Sequence, residues 1–297
     1  MGGDGLFEDV DLTWVKRKGT AFYLLCLASS LFGIVMLGFL ILDVLYEAAL
    51  GPIEFEISLT TFLTDPASRH PEQAGYLGAI LGSVWLMVLT VILSFFIGVG
   101  SAIYLEEYAP DTRITRLIEA NLTNLAGVPS IVYGLLVLAV FVNGFTLGSI
   151  LLAGSIALAL LVMPIIIVSS QEALRAVPSG MRDGSSATGA TRWQTIRHVV
   201  LPAAIPGIMT GTILALARAI GETAPLIMVG AILSAIRLPS GPFDSFGSMP
   251  TQIYYWATAP GPEWGHLAAM AIVVLLAVML SMNAAAVLLR NRYEKDL

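Results

Sequence analysis

Long apolar runs separated by short polar clusters set the pattern of this chain. Six of them, near residues 20–46, 79–104, 121–142, 147–170, 205–235 and 266–289, are long enough to cross a membrane. A helix needs roughly 20 residues to cross a ~30 Å hydrocarbon core. Lipid offers no partner to a free backbone N–H or C=O, and the alternation of a barrel strand is absent, so these runs must be helices. The pattern predicts an all-α integral membrane protein with six transmembrane helices. The basic cluster Lys16-Arg17-Lys18 precedes the first run as it would in a signal peptide. That run is too long for a signal-peptide core and no clean cleavage site follows, so the first helix is expected to remain as an anchor.

Composition supports lipid as the solvent. The chain has 297 residues, of which 57% are hydrophobic and only 12% charged; a soluble domain carries roughly 25% charged residues. No basic block is longer than Lys16-Arg17-Lys18 and the net charge is -6, which argues against a nucleic-acid partner. The single cysteine, Cys26, permits no internal disulfide and no metal cluster, and reads as a small buried hydrophobe. No Walker motif occurs, so any ATP hydrolysis must come from another subunit, and no cofactor is expected.

Basic residues orient the helices. With the N-terminus inside, the cytoplasmic face holds Lys16, Arg17, Lys18, Arg113, Arg116, Arg175, Arg182, Arg192, Arg197, Arg290, Arg292 and Lys295, and the outer face only Arg69 and Arg237. Both termini are therefore expected inside. This divides the chain into a tail, first helix and outer loop (1–78), a permease core (79–290) with a cytoplasmic loop at 171–204, and a C-terminal tail (291–297). The run "YLEEYAPDTR" at 104–113 reads as a further cytoplasmic turn.

The inner loop contains "TRWQTIRHVV", whose Trp193, Ile196, Val199 and Val200 have the spacing of one apolar helix face. Gly189 is followed after nine residues by Val199, then Val200, Leu201 and Pro202. This resembles the cytoplasmic signature of the membrane permeases of binding-protein-dependent ABC importers. Asp183, Gly184 and Ser185 stand at that signature's Glu-Ala-Ala positions, with the acid shortened and both alanines replaced. The resemblance implies the type I importer permease fold and a loop that docks on a cytosolic ATPase, with "YLEEYAPDTR" as a second contact. Gly189 would supply a sharp turn, and Pro202 and Pro206 would end one helix and start the next.

The fifth run places Arg218 and Glu222 inside hydrocarbon. Counted from Pro206, Arg218 lies about 17 Å into the ~30 Å core, and positions i and i+4 share a helix face. Burying an ion pair merely for stability returns about what it costs, whereas ionisable groups at this depth face cavities and mark pathways. A guanidinium suits an oxyanion; a neighbouring carboxylate suits one that still carries a proton. Hydrogen phosphate meets both conditions and sulfate only the first.

"ALARAIGETAPLI" and "GVPSIVYGLLVLA" resemble the paired span signatures of phosphate-importer permeases, and "MPTQIYYWAT" with "LLRNRYEKD" is similar to the PstA-type subunit rather than the PstC type. The resemblance implies Arg218, Glu222, Ser130, Tyr133 and Thr223 as substrate-binding residues, and Asp183, Gly184, Ser185, Gly189, Leu201 and Pro202 as ATPase-coupling residues. It also implies as partners a PstC-type permease, two ATPase subunits and an external phosphate-binding protein. In the residues alone, a permease for another oxyanion or a phosphonate and a proton-coupled carrier using Glu222 remain open. An intramembrane hydrolase using Ser130 lacks a base, since no histidine lies at matching depth and no lysine in any span.

Overall fold

A computed structural model describes residues 12–55, 57–231 and 238–295. Arg237, residues 1–11 of the expected N-terminal tail, residues 232–235 of the fifth expected span and the last two residues of the C-terminal tail lie outside the described residues. Helix α1 (Leu12–Glu54) is followed by a short α2 (Leu59–Thr64) and by α3 (Leu77–Ile103), which continues through a wide turn at Tyr104–Tyr108. Next come α4 (Arg113–Leu125), α5 (Ser130–Val137) with a wide turn at Leu138–Gly144, and α6 (Leu151–Arg175). Then α7 (Ser179–Ala187) leads to α8 (Arg192–Thr195), which runs through a wide turn at Ile196–Val200 into α9 (Leu201–Ile220). The chain finishes with α10 (Ala224–Val229), α11 (Met249–Thr258) and α12 (Pro262–Lys295).

Among the described residues five helices are long and apolar enough to cross a membrane, and six crossings result if the bent pair α4–α5 counts as one. The third expected span is thus corrected: it is two helices meeting at 106°. Its boundary falls at Ala126–Pro129, where Pro129 cannot donate an N–H and disfavours helix in Val128.

The centre is α6, which packs against α3 on one side and α9 on another. Small residues set these approaches: a Cβ on Gly98 would meet Ile166 at 2.9 Å, one on Gly207 would meet Ala173 at 2.7 Å, and one on Gly211 would overlap Ser169. Dispersion between closely approached backbones, rather than hydrophobic exclusion, holds helices together in lipid. Val162, Ile166, Leu174, Val200, Ala204, Ala215 and Ala219 fill the space between α6 and α9.

Helix α1 joins this bundle at its C-terminal end, where His266 Nδ1 lies 2.9 Å from Glu47 Oε2 and 3.0 Å from the Glu47 carbonyl. Towards its other end Cys26 is exposed rather than buried, because among the described residues no helix covers that stretch. The loop at 238–248 closes the start of α6: the first N–H groups, from Leu151 and Leu152, donate to the carbonyls of Asp244 and Pro242, both at 2.9 Å. One end of the bundle carries Arg113, Arg116, Arg175, Arg182, Arg192 and Arg197.

Candidate functional site

The fifth expected span is not one helix. α9 stops at Ile220, Gly221 caps it, and α10 begins at Ala224 with Pro225 in its first turn. Gly221 and Glu222 N–H groups close the turn on the carbonyls of Arg218 and Ala219, both at 3.2 Å. Glycine at a helix end and proline at the next start are the ordinary punctuation of a break. Arg218 therefore occupies the last turn of α9, and Glu222 the gap before α10. A cation near a helix C-terminus and an anion ahead of an N-terminus both complement the helix dipoles. The guanidinium Nε donates to Glu222 Oε1 at 3.3 Å.

Register gives the depth of this pair. Gly207 meets Ala173 and Gly211 meets Ser169, so α9 and α6 run antiparallel, four residues matching four. Carried on to Arg218, that register reaches Val162, one residue from the middle of the 25-residue α6. Such depth is hydrocarbon, yet the Arg218 side chain is 46% exposed while that of Glu222 is 16%. Among the described residues Arg218 has no ion-pair partner but Glu222, and its two terminal nitrogens donate to no protein acceptor.

Across the break stands α5. A Cβ on Gly134 would lie 2.6 Å from Pro225 Cα, and Val137 and Val229 share one buried cluster, so α5 and α10 run in the same direction. Extended backwards, this register sets half-buried Ser130 level with the Gly221–Glu222 gap. Tyr133 is within electrostatic reach of Arg218. Its hydroxyl, however, donates to the Leu125 carbonyl at 2.8 Å, tying α5 to the end of α4. Thr223 precedes α10 and makes no side-chain cap there. The fold thus gathers Arg218, Glu222, Thr223, Ser130 and Tyr133 around two facing helix breaks, with Tyr133 already engaged. Among the described residues no group of three or more His, Cys, Asp and Glu side chains could hold a metal ion.

At the arginine-rich end, Gly189 adopts a left-handed φ of +84° between α7 and α8, as its place in the loop requires. Ser185 and Thr195 hydroxyls meet at 2.9 Å across this elbow. Asp183 and Gly184 are exposed on α7. Two expectations change. Pro202 and Pro206 do not separate helices: Arg192–Ile220 is continuous with Pro206 inside α9, and the wide turn before Pro202 bonds the Leu201 N–H to the Ile196 carbonyl and makes room for its ring. Trp193 does not share the buried face of Ile196 and Val200; it is 54% exposed, one turn beyond the bundle's edge.

A family model described as the binding-protein-dependent transport system inner membrane component matches residues 94–295. The chain belongs to this permease family. Several relatives extend the likeness beyond the matched core. A probable ABC transporter permease protein of Bacillus subtilis, YqgH, is 37% identical over 79% of this chain and 75% of its own length. The phosphate transport system permease protein PstA of Yersinia pestis is 30% identical over 91% and 89%. PstA 1 of Mycobacterium tuberculosis (strain CDC 1551 / Oshkosh) is 33% identical over 74% and 72%. Among solved structures, a bacterial alginate ABC transporter covers 93% of the permease and 95% of its own chain at TM-score 0.69 and 14% identity. The MetNI methionine ABC transporter matches 71% of the permease and 94% of its own chain at TM-score 0.57 and 23% identity. These likenesses make the permease an ABC importer subunit with the fold of type I importer permeases, a multi-pass protein of the inner membrane.

Proposed function

We propose that this permease is one half of the translocation pathway of an ATP-driven inorganic phosphate importer. One observation carries the reading: an arginine at half-membrane depth, held on one edge by Glu222, with neither terminal nitrogen donating to an acceptor among the described residues. A guanidinium in oil without a partner is unfavourable by several kcal/mol, so this arrangement suits a charge that a passing anion neutralises. The open edge fits two oxygens of a tetrahedral oxyanion. Glu222 then accepts the P–OH hydrogen of hydrogen phosphate, whereas sulfate would set a carboxylate against a bare acceptor. The PstA relatives support the same cargo.

In this reading the arginine-rich end faces the cytoplasm, as positively charged loops do. The elbow of Asp183, Gly184, Ser185 and Gly189 docks on one of two ATPase subunits, with exposed Met181 and Trp193 beside it. A PstC-type permease completes the pathway, and a phosphate-binding protein docks on the opposite end. Ser130 and Thr223 line the cargo's route beside the break.

Uptake of labelled phosphate by the assembled importer tests this. Arg218→Gln keeps length and loses charge; with charge-assisted hydrogen bonds at about 1.5–3 kcal/mol each, uptake should fall about 10- to 100-fold. Glu222→Gln should mainly reduce the preference for phosphate over sulfate. Full phosphate uptake by the Arg218→Gln importer would refute the reading.

A further inference from the structure

The acids of "YLEEY" are turned inward. Glu107 is 8% exposed, and Arg182, on α7, reaches it with Nη2 at 2.9 Å. The same guanidinium donates through Nη2 to the Leu174 carbonyl at 2.8 Å and through Nη1 to the Val177 carbonyl at 2.7 Å. It thus joins the element that carries Asp183 to the C-terminal end of α6 and to the extension of α3 in a single grip. A cation at that end of α6 also meets the negative pole of its dipole.

A second arginine continues the connection. Arg175 donates through Nε to Glu106 Oε2 at 2.7 Å and through Nη2 to Glu119 Oε1, on α4, at 3.1 Å. Gln171 donates to the same Glu119 oxygen at 3.2 Å. From α4 the Tyr133 hydroxyl leads to α5, and Gly134 leads from α5 onto Pro225 beside the Arg218–Glu222 pair. On the far side of Gly189 the Ser185 hydroxyl meets that of Thr195 at 2.9 Å, and Arg192 of α8 lies over the Tyr108 ring of the α3 extension at 5.2 Å. A displacement of α7 therefore reaches α6 and the extension of α3 through the Arg182 side chain, while α8 and the turn at Ile196–Val200 are moved by direct packing against α7.

We infer that Arg182 is the positioning residue that converts movement of the coupling elbow into movement of α3 and α6, with Glu107 as its anchor. This rests on the proposed function, since it needs an ATPase to move α7. Three features select Arg182 over the other basic residues here. It bonds two backbone carbonyls as well as a carboxylate, its partner is a buried acid, and it adjoins the first coupling position. A lysine could not make the same fork of contacts.

The experiment uses the complete importer in proteoliposomes, with both permeases, both ATPase subunits and phosphate-loaded binding protein. ATP hydrolysis and phosphate accumulated are measured together for Arg182→Gln, Glu107→Gln, Arg182→Lys and the double variant Arg182→Gln/Glu107→Gln. A residue that only stabilises the fold would lower both activities in step, leaving their ratio unchanged. A transmitting residue leaves hydrolysis near the wild-type rate while phosphate carried per ATP falls about tenfold, with Arg182→Lys intermediate.

The double variant removes the unpaired buried charge that either single change leaves, so it assembles even where a single variant does not. Its ratio stays low if transmission is lost. An unchanged ratio in the double variant overturns the inference. So does loss of the ATPase subunits from the double variant, because Arg182 and Glu107 would then serve docking. A wild-type permease that retains no ATPase, or carries phosphate without one, instead refutes the proposed function on which the inference rests.

Discussion

The crossing of α5 and α10 allows a sharp test, because one hydrogen atom decides it. Replacing Gly134 by alanine would put a Cβ 2.6 Å from both the Cα and the carbonyl oxygen of Pro225, and 3.0 Å from Met228 Cβ. Comfortable carbon contacts begin at about 3.5 Å, so α10 must withdraw by about 1 Å. Neither Pro225 atom is on a flexible side chain, and the helix must move as a body. Overpacking of this kind costs about 1–3 kcal/mol. The functional effect should exceed the loss of stability, since Thr223 and Glu222 are attached to the displaced end. Where geometry governs a site, a shift of about 1 Å can lower a rate about 100-fold. The control is Gly100→Ala on α3, where a Cβ meets nothing within 4 Å and helix propensity favours alanine by up to about 1 kcal/mol. The assay is labelled phosphate uptake beside thermal unfolding of the detergent-solubilised complex. Gly134→Ala should unfold at lower temperature and lose most uptake, while Gly100→Ala holds both. Equal behaviour of the two variants would mean that the α5–α10 contact does not position the break.

Two further tests address other parts of the chain. Gly189 has φ of +84° with open space around it, so Gly189→Ala tests backbone conformation alone. The left-handed region costs an L-residue about 1–2 kcal/mol, and less ATPase should co-purify; undiminished recovery would count against the elbow. The Asp244 carboxyl is held below its ordinary range, chiefly by the Ser240 N–H, then by the Ser240 hydroxyl and, more weakly, the Gly241 N–H. A lowered pKa gives stability that is present above the unfolded value of about 3.9 and lost as pH falls through the folded value. Below about pH 4 the Leu151 and Leu152 amides should therefore exchange faster relative to mid-helix amides of α6. The pH dependence should vanish in Asp244→Asn; a dependence that survives there would assign it elsewhere.

The crossings were legible because length and hydropathy determine them, and neither depends on tertiary detail. The same holds for Gly189, whose spacing from Leu201-Pro202 marks the turn that its left-handed φ makes. The anchoring of Glu106, Glu107 and Glu119 by Arg175 and Arg182 was not legible. Its partners stand 56 to 75 residues apart in sequence, and the packing of α3 and α4 against α6 brings them together. Glu47 is a smaller case: at the end of an apolar run it reads as a group reaching water, yet it meets His266 more than 200 residues away.

The two helix breaks fall between these extremes, and they bear most on function. Gly127 with Pro129, and Gly221 with Pro225, punctuate the sequence plainly. Hydropathy passes over both because an apolar run scores alike whether its helix is straight, bent or interrupted. Charge supplies the missing cue. In a continuous helix Arg218 and Glu222 would gain only each other, at an unfavourable depth. A break gives each a helix terminus of suitable sign and leaves one edge of the guanidinium open. Non-helical backbone at membrane depth persists only where protein or a cavity surrounds it. An ion pair, a glycine and a proline within eight residues of an apolar run therefore indicate an interrupted helix, and the 46% exposure of the Arg218 side chain suits the pathway proposed for it.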